Sequence, residues 1–291
     1  MLGAPVSDVG PPLYEDLLTG APGADLDSYF DPREFITRGK FEDELYWHLY
    51  RRDVILEALR RAMPVPQEPL IEIGCGAGTV TTYLNDHGYR VDYGDVHGEA
   101  LRLAYARAEE RLGARAKELR FVRFDVCNQA LPRHYRGVFL FDVLEHLPDD
   151  VAVLERVRAT FGPGPSDGLL MFTVPAFHAL WSPWDDVEKH KRRYTVKGAR
   201  ALAERCGFAV DRATYFFFPL FFPAAVLKGL RVARALLAPG ERVESYRELT
   251  EANPGPLLNA LLLRVLGPER RWLARRDLPL GTSLLCVARP R

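Results

Sequence analysis

The chain has 291 residues, 47% apolar and 27% charged, with Lys plus Arg and Asp plus Glu equal at 39 each. This allows one large or two small globular domains with a sizeable core, and the balanced charge leaves no overall field to draw nucleic acid or an anionic membrane. Four scattered cysteines, Cys75, Cys127, Cys206 and Cys286, lack metal or disulfide spacing and read as free thiols of a reducing compartment.

In chain order, residues 1–40 are rich in Pro, Gly and Asp without periodicity and read as an arm, disordered or laid over the body. The opening "MLGAPVSDVGPP" lacks a basic stretch and an apolar stretch, so a cytoplasmic protein is expected. In residues 41–67, apolar positions Leu45, Leu49, Leu56, Leu59 and Met63 recur at helical spacing before "PVPQEP" breaks the pattern, which predicts a cap helix. Strand and helix patterns then alternate. Strands are predicted at 70–73, 90–95, 119–125, 138–141, 168–175 and 208–216, and helices at 79–87, 99–112, 150–161 and 195–207. Such alternation implies a mostly parallel sheet covered on both faces, with ligands outside the carboxyl ends of the strands. Between residues 217 and 279 it gives way to two apolar helical stretches, about 224–237 and 256–273, read as a lid, and "GTSLLCVARP" supplies a last strand. The predicted organisation is therefore an arm (1–40), a cap helix (41–67), a core (68–216 and 280–291) and a helical lid or substrate subdomain (217–279).

The stretch "LIEIGCGAGTV" poses the chemical question: which nucleotide does its glycine turn face? A dinucleotide fingerprint reads GxGxxG. Here the glycines are Gly74, Gly76 and Gly78, and Thr79 occupies the place of the third. The strand ends also gather Glu72, Asp95, Asp125, Asp142 and Glu145. These carboxylates would repel a diphosphate and attract a ligand carrying an ammonium and a sulfonium.

"IEIGCGAG", the acidic strand end at Asp95, "FDV" at 124–126 and "FDVLEHLPDD" at 141–150 together resemble the class I S-adenosylmethionine-dependent methyltransferases over about residues 69–210. The resemblance implies a Rossmann-like α/β fold, seven-stranded and mostly parallel with an antiparallel last strand. It also implies S-adenosylmethionine as cofactor and S-adenosylhomocysteine as product. By position, Glu72, Gly74, Gly76 and Gly78 would line the methionine portion. Asp95, followed by Val96, would take the ribose hydroxyls, Asp125 and Val126 would border the adenine, and Phe141 and Asp142 would close the site beneath the sulfonium. "YWHLYRR" and the His190, Arg193, Tyr194, Thr195 element further resemble a small-molecule subgroup, in which Trp47 and Arg51 would fold over the methionine carboxylate.

Asp142, Glu145 and His146 have a spacing that some family members use for a divalent ion, but Pro148 places the next helix after them. No metal is therefore expected, and Glu145 and His146 are expected to hydrogen-bond and hold the loop. One of His146, His178, His190 or Tyr194 is the candidate general base. "YFFFPLFFPAAVL" reads as core beneath the lid, as an apolar acceptor wall, or as a peripheral membrane contact. The expected activity is methyl transfer to an oxygen, or else a nitrogen or carbon, of a small and partly apolar molecule, as in secondary metabolism. The alternatives are a lipid- or glycan-linked acceptor at a membrane surface, an NAD-dependent oxidoreductase, and a scaffold that has lost its chemistry.

Overall fold

The computed structural model describes residues 14–18, 42–163, 167–237 and 255–291. Of the expected arm, only residues 14–18 are among them. The chain forms strand β1 (Tyr14–Asp16), helix α1 (Tyr46–Ala62), β2 (Leu70–Ile73), α2 (Thr79–Asp86), β3 (Val91–Asp95) and α3 (Gly98–Leu112). There follow β4 (Phe121–Arg123), β5 (Gly137–Phe141), α4 (Asp150–Thr160), β6 (Leu169–Pro175), α5 (Pro183–Val187) and α6 (Val196–Arg205). Strand β7 (Phe208–Phe216), helices α7 (Phe218–Leu237) and α8 (Gly255–Leu273) and strand β8 (Ser283–Pro290) complete it.

The strands make one sheet in the order β1-β4-β3-β2-β5-β6-β8-β7, parallel from β1 to β6, with β8 antiparallel to both β6 and β7. The Rossmann-like arrangement is as expected, but there are eight strands and not seven. The extra strand is β1, which pairs parallel to β4 at the sheet edge. It is anchored by charge: Arg120 pairs with Glu15, and Arg123 Nη1 lies 3.0 Å from Asp16 Oδ2. Three residues with a single aromatic carry no alternation, so no strand could be predicted there.

Period-two alternation sends successive residues of the central strands to opposite layers. Val138 and Leu140 pack with Ile71, Phe172 and the inner faces of α4 and α6. Phe139 and Phe141 pack on the other side with Leu70, Met171 and the buried face of α1. That face, Val54, Ile55 and Leu59, contributes about 1.5–3 kcal/mol per fully buried side chain and seats the cap helix on the sheet.

Two predicted helix starts move, and the first is that of α1, which begins at Tyr46 and not at residue 41. Helix α7 starts at Phe218 and not near Ala224, although Pro219 and Pro223 fall within its first two turns. Pro219 lies in the first turn, where a backbone N–H has no helical partner to lose, so only Pro223 forfeits a bond.

Candidate active site

The chain order moves outward from β2 through β3 to β4, then returns to place β5 on the other side of β2. The crevice at this switch point is bounded by the turn after β2 and the loop after β5. In the first turn Gly74 and Gly78 hold left-handed φ values of +71° and +76°. At Gly78 a Cβ would sit 2.8 Å from Ala104 Cβ, so only glycine lets α2 and α3 approach this closely.

Four amides of this turn are already used. Gly74 and Cys75 donate to Gly94 O, Gly78 donates to Cys75 O, and Gly76 donates to Asp95 Oδ2 at 2.9 Å. A phosphate-gripping loop would instead turn such amides toward its ligand.

Carboxylates line the adjoining strand ends. Glu72 is buried in β2 and accepts from Thr81 Oγ1, and burial pushes its carboxyl up to about 8. Asp95, also buried and raised chiefly by burial, accepts from His97 N at 2.9 Å as well as from Gly76. Val96 follows it half-buried, and its carbonyl accepts from Arg123 Nε at 3.1 Å. Asp125 accepts from Cys127 N and from Asn128 Nδ2 at 2.8 and 2.6 Å, while Val126 packs into the core.

Across the crevice, Phe141 ends β5 and Asp142 takes φ +57°, rare for a residue with a side chain. Arg51 of α1 reaches this point. It donates to Phe141 O at 2.9 Å, its Nε lies 2.5 Å from Asp142 Oδ2, and its guanidinium lies 5.2 Å from the Trp47 ring. The structure thus puts Trp47 and Arg51 at the end of β5, with the arginine charge engaged by Asp142.

The four candidate bases separate. Tyr194 is buried and donates to Asp150 Oδ2 at 2.7 Å; burial, then that bond, raises its hydroxyl far above the ordinary range. His178 is exposed, 5.2 Å from the Trp181 ring. His146 and His190 instead face each other with ring centroids 4.8 Å apart.

His190 is held from behind. Asp185, wholly buried, lies 2.8 Å from His190 Nδ1 and receives Arg193 Nε and Nη2 at 2.7 and 2.8 Å. Burial alone would raise this carboxyl, but the bonds from His190 and Arg193 take it well below the usual range. An ionised carboxylate only accepts, so the proton of a neutral His190 sits on Nδ1 and Nε2 keeps its lone pair. Lys189, just before it, and Phe177, at the start of this loop, both have φ +56°. Strained backbone thus occurs at three positions of the loops that carry these residues.

Glu145 corrects an expectation. Both its carboxylate oxygens are buried without a hydrogen-bond partner among the described residues, so its side chain does not tie down the loop. Its backbone does so instead, accepting from Lys191 N at 2.7 Å. Burial and then the neighbouring Asp142 raise its carboxyl well above the carboxylate range. Ligand atoms of Glu145, His146 and His190 all lie within 4.8 Å of one another, a carboxylate and imidazole set able to hold a divalent ion. Asp142, placed with Glu145 and His146 by spacing, is absent from this set; His190, 44 positions away in sequence, completes it. Sequence reasoning also missed Asp185, whose only signal was an acidic residue in a loop with His190 and Arg193.

Comparison with known proteins agrees with this architecture. Residues 71–165 match the profile of a family described as a methyltransferase domain. Ubiquinone biosynthesis O-methyltransferase from Yersinia pestis is 29% identical over 108 residues, 36% of this chain and 43% of that protein. The chain thus matches less than half the length of that curated relative. A Haemonchus contortus phosphoethanolamine N-methyltransferase, solved with phosphomonomethylethanolamine and S-adenosylhomocysteine, superposes with a TM-score of 0.55 at 16% identity, covering 92% of this chain and 60% of that one. A Haloferax volcanii complex of a methyltransferase and its activator gives 0.55 at 15% identity, covering 93% and 99%. The family match identifies residues 71–165 as a methyltransferase domain, and the sheet order and structural likeness show that the chain shares the Rossmann-like methyltransferase fold.

Proposed function

We propose that this chain binds S-adenosylmethionine in the crevice between β2 and β5 and transfers its methyl group to an oxygen of a small, partly apolar acceptor. The donor set fits that cofactor. Buried Glu72 and Asp95 suit an ammonium and ribose hydroxyls, and the amides of Gly74, Cys75, Gly76 and Gly78 are committed within the protein, which suits a ligand without a diphosphate. In this reading Glu72 and the glycine turn hold the methionine portion, Asp95 the ribose and Asp125 with Val126 the adenine edge. Trp47 and Arg51 close that end of the site, and helices α7 and α8 wall the acceptor. The domain match leaves the NAD-dependent alternative without support.

The bound cofactor supplies a methyl group already activated on a sulfonium, so the protein's work is alignment, exclusion of water and removal of one proton. The observation that carries the reading is the Asp185–His190 pair. Asp185 holds the imidazole with one nitrogen available as base, and His190 takes the acceptor's proton. An oxygen acceptor is supported by the curated O-methyltransferase relative, whereas the N-methyltransferase neighbour keeps nitrogen in play. The cytoplasm remains the proposed location, and among the described residues no helix is long and apolar enough to cross a membrane.

A second reading is favoured by the grouping of Glu145, His146 and His190: a divalent ion held there would acidify an acceptor hydroxyl. One set of measurements separates the two. The purified protein is incubated with S-adenosylmethionine and parallel panels of phenols, other alcohols and amines, and products one methyl heavier are sought by mass spectrometry. His190→Asn is expected to lower kcat by about 10²–10⁴-fold with cofactor affinity unchanged. Asp185→Asn is expected to lower kcat and displace its pH profile. Activity unaffected by both variants sinks the base reading, and activity that chelation abolishes and added metal restores selects the second.

A further inference from the structure

Twelve large apolar side chains stand exposed among the described residues, and nine of them lie on α7 and α8. On α7 these are Phe222, Val226, Leu227 and Leu230; on α8, Leu257, Leu258, Leu261, Val265 and Trp272. Phe222, Val226 and Leu230 are four residues apart, as are Leu257, Leu261 and Val265, so each set forms one stripe along its helix. Leu257 is 88% exposed. Concentration of this kind marks an interaction surface; single exposed side chains do not.

The charges on the same helices have one sign. The sequence of α7 contains no acidic residue, and the one acid of α8, Glu269, is buried. Lys228 lies on α7, and Arg264, Arg270 and Arg271 are exposed on α8, Arg270 paired with Asp53 of α1 at 2.6 Å. In a chain of zero formal charge this excess is local. Neither helix is long and apolar enough to cross a bilayer. An apolar stripe with basic flanks and a tryptophan is the pattern of a helix that lies in the headgroup layer. Two copies meeting through this face would bring the arginines of α8 together with no exposed acid on the helices to offset them.

We propose that the outer faces of α7 and α8 form a docking surface for an anionic lipid bilayer. Both helices also touch the loops around the active site. Lys228 Nζ donates to Trp181 O at 2.6 Å, and Phe221 packs edge-on against Phe177 at 5.6 Å, both partners belonging to the segment that carries Asp185 and His190. Asn259 of α8 accepts from Tyr46 N at 2.6 Å, beside Trp47. If the methyl-transfer reading holds, this placement suits an acceptor whose apolar chain stays in the bilayer.

Vesicle co-sedimentation of the full chain tests the surface separately from catalysis, because docking requires no turnover. Vesicles of phosphatidylcholine with phosphatidylglycerol are expected to bind the protein at least tenfold better than pure phosphatidylcholine, with the advantage shrinking as salt rises. The paired variant Leu257→Asp with Leu261→Asp is expected to lose at least tenfold in binding while thermal unfolding and cofactor binding stay unchanged. Arg264→Glu with Arg271→Glu, both exposed, is expected to abolish the preference for anionic vesicles. No binding to either vesicle, or binding indifferent to both variants, overturns the proposal. So does a dimer in sedimentation equilibrium that the leucine variant dissociates, which would make the face a contact between copies.

Discussion

Glu72 is a carboxylate in a strand whose other residues are apolar, and its position in the sequence already marked it as functional. Its environment became visible only in the fold: burial raises its carboxyl from an ordinary 4.5 to about 8. Between those values the folded protein holds a proton that the unfolded chain has released. Stability therefore falls as pH rises through this window, and the loss is complete above about pH 8. Thermal unfolding followed across that range should show a Tm that declines with pH, and Glu72→Gln should flatten the decline. A cofactor ammonium beside Glu72 would favour the ionised form, so calorimetry in buffers of different ionisation enthalpy should record proton release on binding. The acids at strand ends were legible because a charge in an otherwise apolar strand has few reasons to be there. The role of Asp185 was not, because His190, Arg193 and Ser182 converge on it only once the loop has folded.

Helix α1 shows how an element that the pattern predicts depends on a partner that the pattern does not. Apolar spacing places the helix, but Leu45 at its N-cap has no side-chain oxygen to accept an end amide. Asn259, 213 residues later, does this for Tyr46 N and also donates to Glu44 O at 2.8 Å. Asn259→Ala should cost about 1 kcal/mol in denaturant unfolding. Helix α4 instead carries its own cap: Asp149 Oδ1 accepts from Ala152 N at 3.0 Å, as the position of Pro148 before it implied. Where local chemistry suffices, boundaries were readable; where a remote side chain completes the end, they were not. Strand β1 is the extreme case, since pairing with β4 and two arginine partners supply what three residues cannot.

Across the whole molecule, Glu269 joins the helical insertion to the cap. Its carboxylate accepts from Tyr50 Oη of α1 at 2.9 Å and from Phe217 and Phe218 N, at the entry to α7, at 2.6 and 2.7 Å. Glu269→Ala strands three donors and should cost about 3 kcal/mol. Amide exchange should then quicken in α7, α8 and α1 while protection in the central strands holds. Alternation of apolar residues, the glycine turn and the acidic strand ends by themselves determined the parallel sheet, its switch-point crevice and the class of cofactor it suits, because period and local charge are properties of short segments. The His146–His190 juxtaposition and the cap shared between α1 and α8 were decided by tertiary structure alone. Each requires residues tens to hundreds of positions apart to meet, and no local pattern encodes that distance.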